Sequence, residues 1–292
     1  MLRMKPISVI VPAYNEEHSI GKVVDSIKAF MSKEKIEYEL IVVDDCSKDD
    51  TVRVAKNLGV TVISHPVNTG YGASLTTGIK KARHEQILII DADGTYPVTE
   101  VKKLLPYVDD FDMVVGARQG KHYHGSLMKR LSRAIFYLLL NYVTAAKVPD
   151  ANSGLRIFKK SVVMQFEDDF CNGFSFTTTI TLILLSNDYL IKFVPVEYNA
   201  RTGKSKVKYL RDTARTVQIL LHTITYYNPI KAFLPFSVIS LILFLFFTGL
   251  YIFKTRSLFY GVSAVISFFS SMVFMGLGMV SYAIVKRGIG KE

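Results

Sequence analysis

The stretch ILIIDADGTYP, residues 87–97, runs four apolar residues straight into two aspartates one residue apart, Asp91 and Asp93. An unbroken apolar run of this length reads as a strand covered on both faces, because a strand with one wet face alternates instead. Two like charges at the mouth of a buried strand either hold something cationic or are solvated loop ends. The same grammar surrounds it: ISVIVP, ELIVVDD, VTVISH and DMVVGAR are further Val- and Ile-rich runs. Between the first two, Ile20, Val24, Ile27 and Met31 recur at helical spacing, and before the quoted run Ala73, Thr76, Ile79 and Ala82 do likewise. Strand and helix in alternation predict an α/β fold around a mostly parallel sheet. In such sheets ligands bind beyond the carboxyl ends of the strands, which places Asp44, Asp45, Asp91, Asp93 and Arg118 along one edge.

The second half of the chain has a different character. Ala232–Phe253 and Ser257–Val285 hold no charged residue and no histidine. As a helix the first would be about 33 Å long, the thickness of a bilayer core. Two membrane spans, about 232–253 and 259–285, are therefore expected rather than a buried hairpin of core helices. Residues 1–120 carry 15 Lys+Arg against 17 Asp+Glu, whereas 121–292 carry 21 against 8. The basic half is thus the membrane half, which suits anionic headgroups, a lipid phosphate or a phosphorylated substrate. No zinc-finger spacing, RNP pattern or helix-turn-helix signal accompanies the charge, so nucleic acid is not expected as a partner. Lys204, Lys206, Lys208, Arg211, Arg215 and Lys231 precede the first span and Lys286, Arg287 and Lys291 follow the second, while only Lys254 and Arg256 lie between. The positive-inside rule then predicts an integral protein of the plasma or endoplasmic membrane with both termini and the N-terminal α/β domain cytoplasmic. No signal peptide is expected, since the apolar run after Lys5 is short and interrupted by proline. Cys46 and Cys171 show no metal-ligand spacing and are expected as reduced thiols.

Two further segments are amphipathic. Leu127, Leu131, Ile135, Leu138 and Tyr142 form one helical stripe, with Lys129, Arg130 and Arg133 elsewhere on the surface. Leu210, Ala214, Val217, Leu221 and Ile224 form another. Basic amphipathic helices beside spans are expected either at the membrane interface or packed on the sheet.

Asp-x-Asp ending a buried strand suits Mg²⁺ or Mn²⁺, which take hard oxygen ligands and keep positions for substrate phosphate and water. A cation gripping a diphosphate would polarise it as a leaving group. Arg118, ending the next strand, is placed to add a charge-assisted contact to phosphate. NTGYGAS brings Gly70 and Gly72 to a helix start but lacks a phosphate-loop signature, so a tight turn explains it equally well.

The motifs VPAYNEE, VVDDCSKDDT, NTGYGAS, DADGTYP and DANSGLRIFKK, in this order, resemble the family 2 nucleotide-sugar-dependent glycosyltransferases of GT-A fold. With RTGKSK and two C-terminal spans, the closer resemblance is to the polyprenyl-phosphate hexose synthases. It covers residues 6 to about 210, and the membrane part matches in layout only. The resemblance implies a GT-A domain over 1–206, including an amphipathic helix near 126–144, then a juxtamembrane amphipathic helix over 207–231 and two spans within 232–292. It implies that Pro12, Ala13, Tyr14, Glu16, Asp44, Asp91, Ala92, Asp93, Arg201 and Lys206 serve the nucleotide sugar and that Asp91 and Asp93 hold Mg²⁺ or Mn²⁺. Arg118, Arg130, Arg133 and Ser205 are implied at the lipid phosphate, and Asp91, Asp93, Arg118 and Asp150 at the chemistry. Relatives often carry glutamine two residues after the second aspartate as a further metal ligand, where this chain has Thr95; an added water would then fill that position.

The activity so implied is inverting transfer of a hexose from a UDP- or GDP-sugar to a polyprenyl phosphate of dolichyl or undecaprenyl type. A lipid monophosphate, with a second pKa near ~6, is largely dianionic and attacks unaided, so a general base is optional and Asp150 is expected to organise the acceptor. Arg156 is left between pairing with Asp150 and binding phosphate. The competing readings are a family 2 transferase acting on a glycolipid or polysaccharide hydroxyl, and an inert membrane-interaction subunit of the same fold. Gly261, Gly276 and Gly278 in the second span would allow close helix contacts, which leaves a homo-oligomer open.

Overall fold

The computed structural model describes residues 5–119, 127–170, 176–199 and 228–289, together with 218, 224 and 225, and not the side chains of 127–133, 135 and 286–289. The chain divides into two compact units, Met1–Val217 and Gln218–Glu292.

The first unit is an α/β GT-A-like fold built on a seven-stranded sheet. In chain order its strands are β1 (Ile7–Ala13), β2 (Tyr38–Asp44), β3 (Thr61–Ser64), β4 (Gln86–Ile89), β5 (Met113–Gln119), β6 (Arg156–Lys159) and β7 (Ile191–Glu197). They lie in the order β3-β2-β1-β4-β6-β5-β7. Pairing is parallel from β3 across to β4, antiparallel on both sides of β6, and parallel again between β5 and β7. The strand order reverses at β1, with β2 on one flank and β4 on the other. In doubly wound sheets such a reversal marks where ligands bind, at the carboxyl ends of the strands.

Helices α1 (Ile20–Lys33), α2 (Thr51–Asn57) and α3 (Tyr71–Lys81) follow the first three strands. Ile20, Val24, Ile27 and Met31 are buried, as their spacing predicts. On α3 Gly72, Ser74, Leu75, Gly78 and Ile79 are buried, as is Ala82 just past its end, whereas Ala73 and Thr76 are half-exposed. Small residues at 72–74 mask the direction of the stripe when it is read by hydropathy alone. β3 also departs from expectation: it is an edge strand, with Thr61 and Ser64 exposed and only partial burial between them. Two apolar clusters fill the two faces of the sheet, one around Val9, Val42 and Leu88, the other around Ile10, Val43, Ile87 and Phe158.

After short α4 (Val101–Leu104) come α5 (Leu127–Thr144), α6 (Lys160–Met164) and α7 (Phe176–Ser186). Of the stripe expected on α5, the side chains of Leu127, Leu131 and Ile135 lie outside the described residues. Leu140 and Val143 are buried, whereas Leu138 is 72% exposed and Tyr142 is also exposed. This helix is apolar on more of its circumference than one stripe, with one part packed inward and another exposed. α7, FTTTITLILLS, is buried over Phe176–Leu184 despite four threonines. It lies where apolar periodicity gives no warning, because threonine hydroxyls can bond back into their own helix, as Thr181 does to the Thr177 carbonyl at 2.8 Å.

The second unit is a pair of long helices, α8 (Pro229–Phe253) and α9 (Leu258–Ile289). Asn228 caps the first through its side chain, accepting from the Lys231 amide, and Pro229 occupies the first turn. Pro229–Phe253 and Leu258–Val285 are long and apolar enough to cross a bilayer. Most of their side chains face outward, including Phe236, Ile239, Ile242, Phe269 and Met272. Core helices of a water-soluble hairpin would bury that surface. Between the helices, Ser237 and Ser271 exchange hydrogen bonds, each hydroxyl donating to the other's carbonyl at 3.0 Å. Such reciprocal bonds satisfy hydroxyls without water.

Candidate active site

The carboxyl edge of β1, β2 and β4 carries the residues of interest. Pro12 and Ala13 end β1 and are buried; Tyr14 and Glu16 follow in a half-buried loop. That loop is laced to the one after β2. The Asn15 amide donates to Ser47 Oγ at 2.8 Å, the Glu16 amide to Thr51 Oγ1 at 2.8 Å, and the Lys48 amide to Asn15 Oδ1 at 2.7 Å. Two strand-end loops that cross-bond in this way form a fixed wall.

Asp44, paired in register with Ala13, is 1% exposed. Its Oδ2 accepts from the Ser47 amide at 3.2 Å, and its Oδ1 is buried with no hydrogen-bond partner. An orphaned buried carboxylate oxygen is costly, and a donor supplied by a ligand removes the cost. Asp45 does different work. It accepts from the Thr69 and Gly70 amides, both at 2.8 Å, and from His65 Nδ1 at 2.9 Å. Burial raises its pKa, but those donors outweigh it and hold the carboxyl below its usual range. Asp45 therefore anchors the NTGYGAS loop. Gly70 takes a φ of 103° there, which a side chain rarely allows, and α3 starts at once with Tyr71.

Tyr71 points back to the sheet and donates to Asp91 Oδ1 at 2.9 Å. Burial first, then the charge of Asp91, pushes its hydroxyl well above the ordinary tyrosine value, so it remains a donor. On another side Gly154 packs against Asp91; a methyl built on Gly154 falls 2.5 Å from the carboxyl carbon. Only glycine permits that approach. Ala92 is buried between the aspartates. Asp93 is buried, and its Oδ1 accepts from the Thr95 amide at 3.1 Å and the Thr95 hydroxyl at 2.7 Å. Thr95 is thus turned toward Asp93 as a donor.

Arg118, at the end of β5, is paired with Asp150 as a fork: Nε to Oδ2 at 2.7 Å and Nη2 to Oδ1 at 2.9 Å. Its guanidinium lies 5.4 Å from the Tyr198 ring centroid, and Tyr198 meets Tyr96 edge-on at 5.1 Å. Asp150 also accepts from the Asn152 amide at 3.1 Å and from the Tyr137 hydroxyl of α5 at 3.3 Å. Burial opposes its charge, yet Arg118 and these donors hold its carboxyl below the usual range. Arg156 does not join Asp150. Fully buried, it donates to the carbonyls of Ser153, Ala151 and Thr177 and to Thr181 Oγ1. Burial lowers its pKa to about 10, leaving it cationic at neutral pH as a brace between the DANSGLR loop and α7.

Arg201, Ser205 and Lys206 lie outside the described residues, as do the side chains of Arg130 and Arg133. Among the described residues no group of three or more His, Cys, Asp or Glu could hold a metal. Two carboxylates ending a strand, with other positions left to phosphate and water, nevertheless fit Mg²⁺ or Mn²⁺ as these ions are commonly held on phosphate substrates. Tyr71, Tyr96 and Gly154 were not among the residues expected to shape the site, and Thr95, expected at the metal position, serves instead as a donor to Asp93. Tyr71 and Gly154 lie within quoted motifs, but nothing local in the sequence points from either to Asp91.

Comparison with known proteins adds a family. The model for glycosyl transferase family 2 matches residues 8–166. A low-salt glycan biosynthesis hexosyltransferase of Haloferax volcanii is 32% identical over 221 residues, 74% of this chain and 53% of the relative. This chain therefore spans about half of that relative's length. A dolichyl-phosphate beta-glucosyltransferase of Trichomonas vaginalis is 29% identical, over 68% of this chain and 65% of the relative. Glucosyl-3-phosphoglycerate synthase from Mycobacterium tuberculosis, solved with Mn²⁺, uridine diphosphate and phosphoglyceric acid, superposes with a TM-score of 0.63 at 22% identity, covering 75% of this chain and 78% of that one. At that identity the likeness speaks for the fold alone.

Proposed function

This chain belongs to glycosyl transferase family 2, and we propose that it is a membrane-anchored inverting hexosyltransferase using a UDP- or GDP-sugar as donor and a polyprenyl phosphate as acceptor. The acceptor is of dolichyl or undecaprenyl type, and the reaction takes place at the cytoplasmic leaflet. The observation that carries this reading is the edge at the switch of strand order, where Asp44 keeps an unpartnered buried oxygen and β4 runs into the Asp91–Asp93 pair. Asp44 would take a donor from the nucleoside. Asp91 and Asp93 would hold Mg²⁺ or Mn²⁺, which when bound neutralises the diphosphate as a leaving group. The relatives that act on dolichyl phosphate support the acceptor class, and two helices of spanning length support an anchor.

Within this scheme Arg118 supplies the fixed positive charge facing phosphate, and Asp150 orients its guanidinium. Asp150 is a poor general base, because a carboxyl held below its usual range has little affinity for a proton. A dianionic lipid phosphate needs none. A single displacement by its oxygen breaks the bond between the anomeric carbon and the diphosphate and inverts that carbon. Arg130, Arg133, Arg201, Ser205 and Lys206 are proposed to meet the acceptor and donor phosphates.

The test is a donor screen with purified protein in detergent, one polyprenyl phosphate, and Mn²⁺ or Mg²⁺. Release of nucleoside diphosphate from one nucleotide sugar, with the hexose found on the lipid phosphate, is expected. No release from any common donor defeats the reading. Sugar recovered on a hydroxyl-bearing lipid moves the acceptor to the competing class.

A further inference from the structure

Asp91 is gripped by two elements distant in sequence. Tyr71, the first residue of α3, donates to its Oδ1 at 2.9 Å, and Gly154 of the DANSGLR loop closes on its carboxyl group with no room for a side chain. Tyr71 is itself held in place. Gly70, immediately before it, has the φ of 103° that starts the helix, and the Gly70 amide is bound by Asp45 at 2.8 Å. Asp45 belongs to the loop after β2, beside Asp44. A continuous path of contacts thus runs from the wall proposed for the nucleoside to the first aspartate of the pair.

We propose that Tyr71 is a positioning residue that sets the orientation of the Asp91 carboxylate for the divalent cation on a nucleotide diphosphate. This rests on the family 2 reading above. A neutral hydroxyl suits the task where lysine or arginine would not. It occupies one lone pair of Oδ1 and directs the rest of the carboxylate, without placing a positive charge that would repel the cation. Thr95 treats Asp93 in the same way, so each aspartate accepts from a neutral hydroxyl.

Hydrogen-bond partners of metal-ligating groups typically contribute about 10–100-fold to metal affinity. The test measures Mn²⁺ binding to the full-length protein in detergent by electron paramagnetic resonance, with saturating uridine or guanosine diphosphate and neither sugar donor nor acceptor. Wild type, Y71F, D91N and G154A are compared, with circular dichroism to check folding. Y71F is expected to weaken Mn²⁺ by about tenfold or more. In turnover it should raise the Mn²⁺ half-saturation while kcat recovers at high Mn²⁺. G154A, which displaces the same carboxylate from the other side, is expected to weaken Mn²⁺ as well and carries the test if Y71F does not fold. Y71F binding within about twofold of wild type, with D91N binding lost, overturns the positioning role and leaves the family 2 reading intact. D91N binding like wild type overturns the metal assignment and this proposal with it.

Discussion

Thr95 shows how a single side chain changes role once its surroundings are known. Read against relatives with glutamine, it is a shorter and poorer metal ligand; in the structure its hydroxyl donates to Asp93 Oδ1 at 2.7 Å. T95S is therefore expected to keep metal affinity and T95V, similar in shape but without the donor, to lower it by about tenfold, read by Mn²⁺ titration of the diphosphate-saturated protein. Asp44 makes a complementary case. Its Oδ1 has no partner in the fold, so D44N should leave the melting temperature nearly unchanged while raising the donor KM by about tenfold, as expected for losing one hydrogen bond to a charged group. An unchanged KM with intact turnover would remove Asp44 from the donor site. The aspartates themselves were legible in the sequence because charge at the end of a buried run is conspicuous. Their hydroxyl partners were not, since tyrosine and threonine beside a turn carry no such contrast.

At the level of elements, the end of β5 and the DANSGLR loop are joined by the Arg118–Asp150 fork. Removing one member of a buried pair strands the other, so D150A should cost about 3 kcal/mol in urea unfolding, the low end of the range because Arg118 is 18% exposed. The pH dependence follows from the same pair. The folded Asp150 pKa is below its unfolded value, so its stabilisation is complete above about pH 4 and is lost as pH falls through the folded pKa. Asp45 has the same sign, and D150N should flatten this acid limb only in part. Helix positions were readable where periodicity was strong, as on α1 and on α5, whose observed span Leu127–Thr144 lies within the expected 126–144. The exposed Leu138 and Tyr142 suit an interfacial role, while Leu140 and Val143 pack inward.

For the whole molecule, the two units make separable predictions. A chain truncated before Pro229 is expected to keep its sheet, since the strands and their two apolar clusters lie within the first unit. It should lose the alkaline-carbonate-resistant membrane fraction expected of the full chain, measured by fractionation; retention of that fraction would place the anchor elsewhere. By itself the sequence determined the α/β class, the acid-tipped strand edge and the two spanning-length helices. Each is written in local hydropathy and charge, which depend on neighbours a few residues away. Only the tertiary structure decided that Tyr71 and Gly154 meet at Asp91, that Arg118 is held by Asp150, and that Arg156 braces a loop rather than binding phosphate. Those pairings join residues separated by 20 or more positions, and whether such groups meet depends on strand order and crossover paths, which no local pattern encodes.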